Sequence, residues 1–434
     1  MEGVVQCAPA VPVRATRNDS LRAQRASVWL AIAIVCLLSS WYFAAVIAPV
    51  ALGSNAPTVW RGLFPEWFGT REILLQGRDP YSPQSTREIQ IAVYGKAAAA
   101  GGEARNQHRF AYPVFFAFLF FPLAVLPFWA AQLLALAGCM VATAASPGLW
   151  LRHRSFGLAG PICVFVFASY PVVLGLQLRQ PTLMVAATLA AAYYCVRSER
   201  LGLAGILAAL STCKPQLAIA VLLPLSIWSI AQWGARKRFL LAAAGGLGGL
   251  LLASELVSRG WITHWMWTLK AYAHYAGSAP PLADLLPGRL VVPGAIILLA
   301  AVVGVGCKYR DQDLLYAVSF SIAAFQLLFP FQIYNEVLLL PAALWLANHA
   351  GEIKFRGQLH ALLYYCTWIV LGVGWAATIG LSLANLLAPG AGLTLWQLPL
   401  LTAWLYPPAV FATLALCALP AWNRFPARTR VLGQ

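Results

Sequence analysis

The sequence predicts an all-α polytopic membrane protein. Three observations carry that class. Of the 434 residues, 60% are hydrophobic and only 10% are charged, against roughly 25% charged in an ordinary soluble domain. The apolar residues come in repeated long runs divided by short polar breaks. The chain has 30 Lys/Arg against 14 Asp/Glu, and the basic residues gather in small clusters between the runs, a pattern that orients helices in a bilayer. A chain this apolar cannot cover itself with polar surface, so water-soluble, disordered and fibrous classes are excluded. In lipid every backbone polar group needs an internal partner, so the runs must be helices. The net charge of +16 would suggest nucleic acid in a soluble chain. Here it reads as membrane orientation, and no nucleic-acid partner is expected.

A basic leader over 1–26, with Arg14, Arg17, Arg22 and Arg25, is expected in the cytoplasm. The apolar run over 27–52 is long enough to cross and stay, with no cleavable signal. The polar segment 53–109 is then a long first extracytoplasmic loop carrying interfacial helices. Within it, Pro65 suits the first turn of a helix and Glu66 suits its positive N-terminus. Trp67, Ile73 and Leu74 make an apolar face for the interface. Gly77 ends the helix before the turn "GRDPY". Segment 110–151 is long enough for two helices, but Pro113, Pro122 and Pro127 break its first half. One net crossing there, with a broken or re-entrant first half, leaves all seven basic clusters on one side with both termini. Later apolar runs lie near 156–176, 182–196, 201–213, 217–233, 239–258, 291–307, 314–331, 336–348, 359–386 and 395–419. The expected total is about 12 transmembrane helices. The chain divides into the leader, a module over 27–258, an extracytoplasmic aromatic loop over 259–290, C-terminal helices over 291–419 and a basic cytoplasmic tail over 420–434. The nine cysteines lie in or beside apolar runs, apart from Cys7. Neither a disulfide framework nor a CxxC metal spacing is present, and no metal or other cofactor is expected.

This topology gathers the polar residues at run boundaries onto the extracytoplasmic side. Charged groups at membrane depth are costly and line cavities or sites. An outward-facing general base must come from a carboxylate or histidine there, and Glu66 and Asp79 are the catalytic candidates. Arg71, Arg78, Lys214, Lys270 and His274 are candidates for contacting a phosphate. Glu72, Tyr81, Tyr112, Gln177, Gln180, Gln216, Tyr334, Asn335 and Glu336 are candidates for binding substrate. The same residues admit structural roles. Glu72 pairs with Arg71 or Arg78 on a solvated helix, Asp79 caps a turn, Lys214 snorkels, and Gln177 and Gln180 cap a helix end. Trp261, Trp265, Tyr272 and Tyr275 form an interfacial belt.

Four segments in order, "LLQGRDPYSP", "FAYPVFFAFLFFPLAVLPF", "GLQLRQPTLMVAATLAAAYY" and "LAALSTCKPQLAIAVLLPL", resemble glycosyltransferase family 87. That family comprises polytopic GT-C enzymes and includes the mannosyltransferase of phosphatidylinositol mannoside synthesis. The motifs cover roughly the first 230 residues, and hydropathy extends the likeness over the rest. The resemblance implies a GT-C-type fold in a bacterial inner membrane. It implies a polyprenyl-phosphate sugar donor and inverting transfer of a hexose or pentose on the extracytoplasmic face. The acceptor would be a glycolipid, a polysaccharide or a protein. It also implies an essential carboxylate just after the first span. That position falls near Gly62–Leu63, where this chain has none, and the first acidic residue is Glu66. A lipid monophosphate leaving group needs one or two Lys/Arg and no metal. Two other readings remain: a transporter or flippase for a lipid-linked glycan, and a catalytically inactive relative that binds polyprenyl lipid. An internal inverted repeat would mark transport, and none is evident.

Overall fold

A computed structural model describes residues 62–95, 108–151, 169–276, 280–329, 331–388 and 402–419. The leader, the predicted span at 27–52, most of the run at 156–176 and the basic tail lie outside the described residues. The described elements are all helical.

The first outer segment folds as two helices, α1 (Phe64–Leu75) and α2 (Pro83–Tyr94). Pro65 sits in the first turn of α1, as its fixed backbone angle predicts. Gly77, with φ +63°, turns the chain away. The Asp79 side chain accepts from the Tyr81 amide at 2.9 Å, and Ser82 caps α2 by accepting from the Ser85 amide at 3.1 Å.

The buried face of α1 differs from the apolar face expected. Glu66, Gly69, Thr70 and Ile73 are buried, whereas Trp67 and Leu74 are half-buried. The reason is that α1 packs against protein. It lies on α3 (Val114–Ala124). The Trp67 indole donates to the Leu126 carbonyl at 3.1 Å, and Arg71 donates to the Ala124 carbonyl at 2.6 Å. The Ala124 carbonyl ends α3, where intrahelical partners run out, and the Leu126 carbonyl lies in the turn that follows.

With 11 residues, α3 is about 16 Å long, too short for a hydrocarbon core of about 30 Å. The chain breaks before Pro127 and resumes as α4 (Phe128–Leu151), which has span length. The first half of 110–151 is therefore broken before Pro127, and Pro113 caps α3, whereas Pro122 lies inside α3 and does not break it. Next come α5 (Tyr170–Gln177), α6 (Thr182–Arg197), α7 (Leu201–Ser211), α8 (Pro215–Ala231) and α9 (Trp233–Val257). They are followed by α10 (Trp261–Ala276), α11 (Pro281–Leu285), α12 (Gly288–Tyr309) and α13 (Leu314–Leu328). A 3-10 helix (Ile333–Leu339) leads to α14 (Leu340–Asn348), α15 (Ala350–Phe355), α16 (Gln358–Leu387) and α17 (Tyr406–Ala418). Among the described residues α4, α9 and α12 are long and apolar enough to cross a membrane. Several other apolar helices, α6, α7, α8, α13 and α17 among them, are shorter. The all-α membrane class stands on these helices, and the twelve crossings remain an expectation.

Helix α13 forms the centre. Every residue from Tyr316 to Leu327 is buried, as befits a helix apolar on all sides, with α8, α12, α14 and α17 around it. Asp313 caps it, accepting from the Tyr316 amide at 3.0 Å and from the Trp345 indole at 2.7 Å. The 3-10 helix that leaves α13 contacts α5 and α6, which places three chain reversals side by side.

Candidate active site

Each wall of the site begins as a helix end. α5 closes with the Arg179 amide donating to the Leu176 carbonyl at 3.1 Å and the Gln180 amide donating to the Gly175 carbonyl at 2.8 Å. This is a Schellman motif, whose left-handed position glycine usually fills. Here Arg179 holds it, at φ +51°, at a cost of about 1–2 kcal/mol. Pro181 then starts α6, and Thr182 is its first residue. α7 ends before Cys213, and Lys214 occupies the N-cap position of α8, ahead of Pro215.

The segment before α3 forms a second wall. Its Tyr112 carbonyl accepts from the Tyr81 hydroxyl at 2.7 Å, and its Ala111 carbonyl accepts from the Trp265 indole at 3.0 Å. Tyr81 reaches it from the turn after α1, and Trp265 reaches it from α10. Phe110 packs on Tyr81 and Tyr112 and sits on Gly69, where any Cβ would overlap its ring. Glycine at 69 is what lets α1 approach this closely, and it brings Glu66, one turn earlier, to the cavity.

The cavity encloses about 490 Å³. Its walls come from six parts of the chain: the start of α1 (Pro65, Glu66), segment 108–113, the α5–α6 turn, the α7–α8 turn, α10, and the 3-10 helix with the residues before it. The convergence predicted from run boundaries is thus present. Glu66 is buried, and its Oε2 atom has no hydrogen-bond partner. Burial pushes its carboxyl well above the usual carboxylate range, against the pull of its own backbone amide, the Lys214 ammonium and the Tyr112 hydroxyl. Lys214 is also buried. Its ammonium donates to the Thr182 hydroxyl at 2.5 Å and lies 5.2 Å from the Tyr112 ring centre and 5.3 Å from that of Tyr334. Burial pulls its proton affinity down, and Glu66 opposes this. Burial also holds His108 at about 4, which leaves that lining imidazole neutral at neutral pH. Arg109 adds a second lining cation.

The structure brings together Glu66, Tyr112, Gln180, Lys214, Gln216, Tyr334 and Asn335 from the sequence-based candidates. Others lie elsewhere. Asp79 pairs with His264 at 2.9 Å and caps its turn, outside the cavity lining. Arg71 caps α3 and stacks on Trp67. Arg78 bridges Glu72 at 2.9 Å and Glu88 at 2.8 Å. Glu72 also accepts from the Ser85 hydroxyl, and Tyr81 acts on the site only through the Tyr112 carbonyl. Lys270 is exposed on α10 and is not a wall residue. Glu336 is buried beside the site but not in its lining, with Tyr406 of α17 nearby. The side chains of Gln177 and His274 lie outside the described residues. Sequence reasoning passed over Arg109, Cys213, Gln332 and Thr182. For Thr182 the available signal was its position, directly after Pro181 at a helix start, where a side chain faces the neighbouring turn.

A profile of glycosyltransferase family 87 matches residues 110–332, a little over half of the 434-residue chain. The match takes in the cavity walls from Phe110 through Gln332 and leaves out α1 and α2, so Glu66 and Asp79 fall before it. No curated protein matches the chain, and no solved structure does. Over its apolar helices and the walls of its cavity, the chain belongs to glycosyltransferase family 87 and is a membrane glycosyltransferase.

Proposed function

We propose that the protein transfers a sugar from a polyprenyl-phosphate donor to an acceptor hydroxyl on the extracytoplasmic face, with inversion, using Glu66 as general base and Lys214 as the contact for the leaving phosphate. One observation carries this reading: a buried carboxylate and a buried ammonium face the same cavity. The chemistry needs one of each. Glu66 takes the proton of the acceptor hydroxyl, and the acceptor oxygen bonds to the anomeric carbon. The bond from that carbon to the phosphate oxygen breaks, and the phosphate leaves with the electron pair. Its added negative charge is met by Lys214, with Arg109 nearby. A single displacement inverts the anomeric centre. The unpartnered Oε2 of Glu66 is an acceptor waiting for a donor hydrogen, whereas Asp79 is committed to His264 and the Tyr81 amide. Two lining cations against one carboxylate favour an anionic ligand. The amide side chains Gln180, Gln216 and Asn335 and the aromatic rings of Trp265 and Tyr334 suit a sugar held between them.

The test is sugar transfer by purified protein from a panel of polyprenyl-phosphate hexoses and pentoses. Glu66→Gln should lower the rate by about 100-fold or more while the protein stays folded. Full activity in that variant overturns the assignment of the base.

A further inference from the structure

We propose that Thr182 and Asn335 are positioning residues that hold the Lys214 ammonium apart from the Glu66 carboxylate, so that a base and a cation coexist in one cavity without collapsing into an ion pair. This rests on the proposed function. Opposite charges that are both buried attract more strongly than in water, and a lysine side chain is flexible enough to swing. A direct pair would weaken Glu66 as a base and neutralise Lys214 before a donor phosphate arrived.

The geometry opposes that collapse. Lys214 Nζ donates to Thr182 Oγ1 at 2.5 Å, and Thr182 Oγ1 donates to Asn335 Oδ1 at 2.9 Å. A carbonyl oxygen only accepts, so Asn335 draws the Thr182 hydrogen and leaves the Thr182 lone pairs turned to the ammonium. Asn335 is fixed in turn, its backbone carbonyl accepting from the Gln326 side chain of α13 at 3.3 Å. All three members of the chain Lys214, Thr182, Asn335 are buried, and they come from the α7–α8 turn, the start of α6 and the 3-10 helix. The Tyr112 and Tyr334 rings flank the ammonium and limit its swing. Glu66 Oε2, meanwhile, has no partner. The attraction between the two charges is present but unspent.

Other titratable groups face this pair. From the segment before α3 come His108, Arg109 and Tyr112, from the α7–α8 turn Cys213, from α10 Tyr272, and from the 3-10 helix Tyr334. Cys139 of α4 lies within electrostatic reach of Lys214. His108 is neutral through burial, and burial pushes the Cys213 thiol up to about 12. Among the described groups lining the cavity, Arg109 adds a further cation, and Arg179 of the α5–α6 turn is a buried cation within electrostatic reach of Cys139.

The experiment compares the full chain carrying Thr182→Val and Thr182→Ser with wild type by two readouts. The first is the reactivity of Lys214 towards acetic anhydride as a function of pH, read by mass spectrometry without substrate. The second is the pH profile of kcat/KM with polyprenyl-phosphate mannose as donor. Thr182→Val should let Lys214 fall onto Glu66. Its acetylation at a given pH should slow about tenfold, and the acidic limb of the rate profile should move down by about one pH unit or more. Donor KM should rise about tenfold. Thr182→Ser keeps the hydroxyl and should restore all three. Thr182→Ala serves if the valine variant does not fold. Unchanged Lys214 reactivity in the folded valine or alanine variant overturns the proposal, as does a loss that serine fails to restore. Glu66→Gln run alongside separates the two readings. If it retains full transfer, the base assignment fails, and the acetylation data alone decide whether Thr182 holds Lys214.

Discussion

The Asp79 carboxylate pairs with the His264 imidazole at 2.9 Å, and this contact joins the turn after α1 to α10. Helix α10 presents Trp265, Leu269 and Tyr272 to the cavity, so Asp79 holds a wall of the site instead of entering it. Both side chains are partly exposed, and such a pair contributes about 1 kcal/mol at most. Asp79→Asn should therefore keep sugar transfer within about fivefold of wild type. A loss as deep as that of Glu66→Gln, measured in the same assay, would give the base role to Asp79.

Glu66 carries a stability signature as well as a catalytic one. Burial raises its carboxyl above the unfolded value. Its contribution is fully present below the unfolded value and is lost as pH rises through the folded one, because ionising it in the cavity costs about 1.4 kcal/mol for each factor of ten in acid strength. Wild type should melt at a lower temperature at pH 8 than at pH 5, and Glu66→Gln should narrow that gap by stabilising the protein at pH 8. Thermal unfolding in detergent at the two pH values decides it, and an identical gap in both proteins sinks the idea.

Arg71 and Lys214 were equivalent phosphate candidates by charge, but their surroundings separate them. Arg71 caps the Ala124 carbonyl and lies 4.8 Å over the Trp67 ring. Arg71→Ala should lower stability by about 1–2 kcal/mol and leave donor KM within about threefold. Lys214→Ala should raise donor KM at least about tenfold. Donor titrations of both variants test this, and the reverse order would make Arg71 the phosphate contact.

The face of the membrane is open to direct measurement. Gln84 is exposed on α2. In a chain whose nine native cysteines are replaced, Gln84→Cys should react with a membrane-impermeant maleimide in intact spheroplasts. Reaction only after lysis would put the α1–α2 segment in the cytoplasm.

Hydropathy carried the helical class, Pro127 marked the break in 110–151, and the basic clusters together with hydropathy placed distant run boundaries around one cavity. Lipid offers the backbone no hydrogen bonds, so apolar runs have one way to fold, and the polar residues between them are left at the ends. Lys214, Gln180 and Tyr334 were legible for that reason: each stands at a run boundary, and the boundaries meet. Pro65 and Gly77 announced the limits of α1 through backbone angles that belong to the residue itself.

Side-chain direction was not legible, because it depends on which element lies opposite. Arg71 and Lys214 look alike in the sequence, yet one caps the C-terminal end of α3 and the other lines a cavity with Glu66. Glu336 follows Asn335 directly, but the two diverge on a 3-10 helix, and only Asn335 reaches the lining. Thr182 and Asn335 are 153 residues apart, and no local pattern links them. Their bond exists because α6 and the 3-10 helix pack together, so the arrangement of charge within the cavity belongs to the tertiary structure, while the existence of a cavity with polar walls follows from a chain too apolar to fold outside a bilayer.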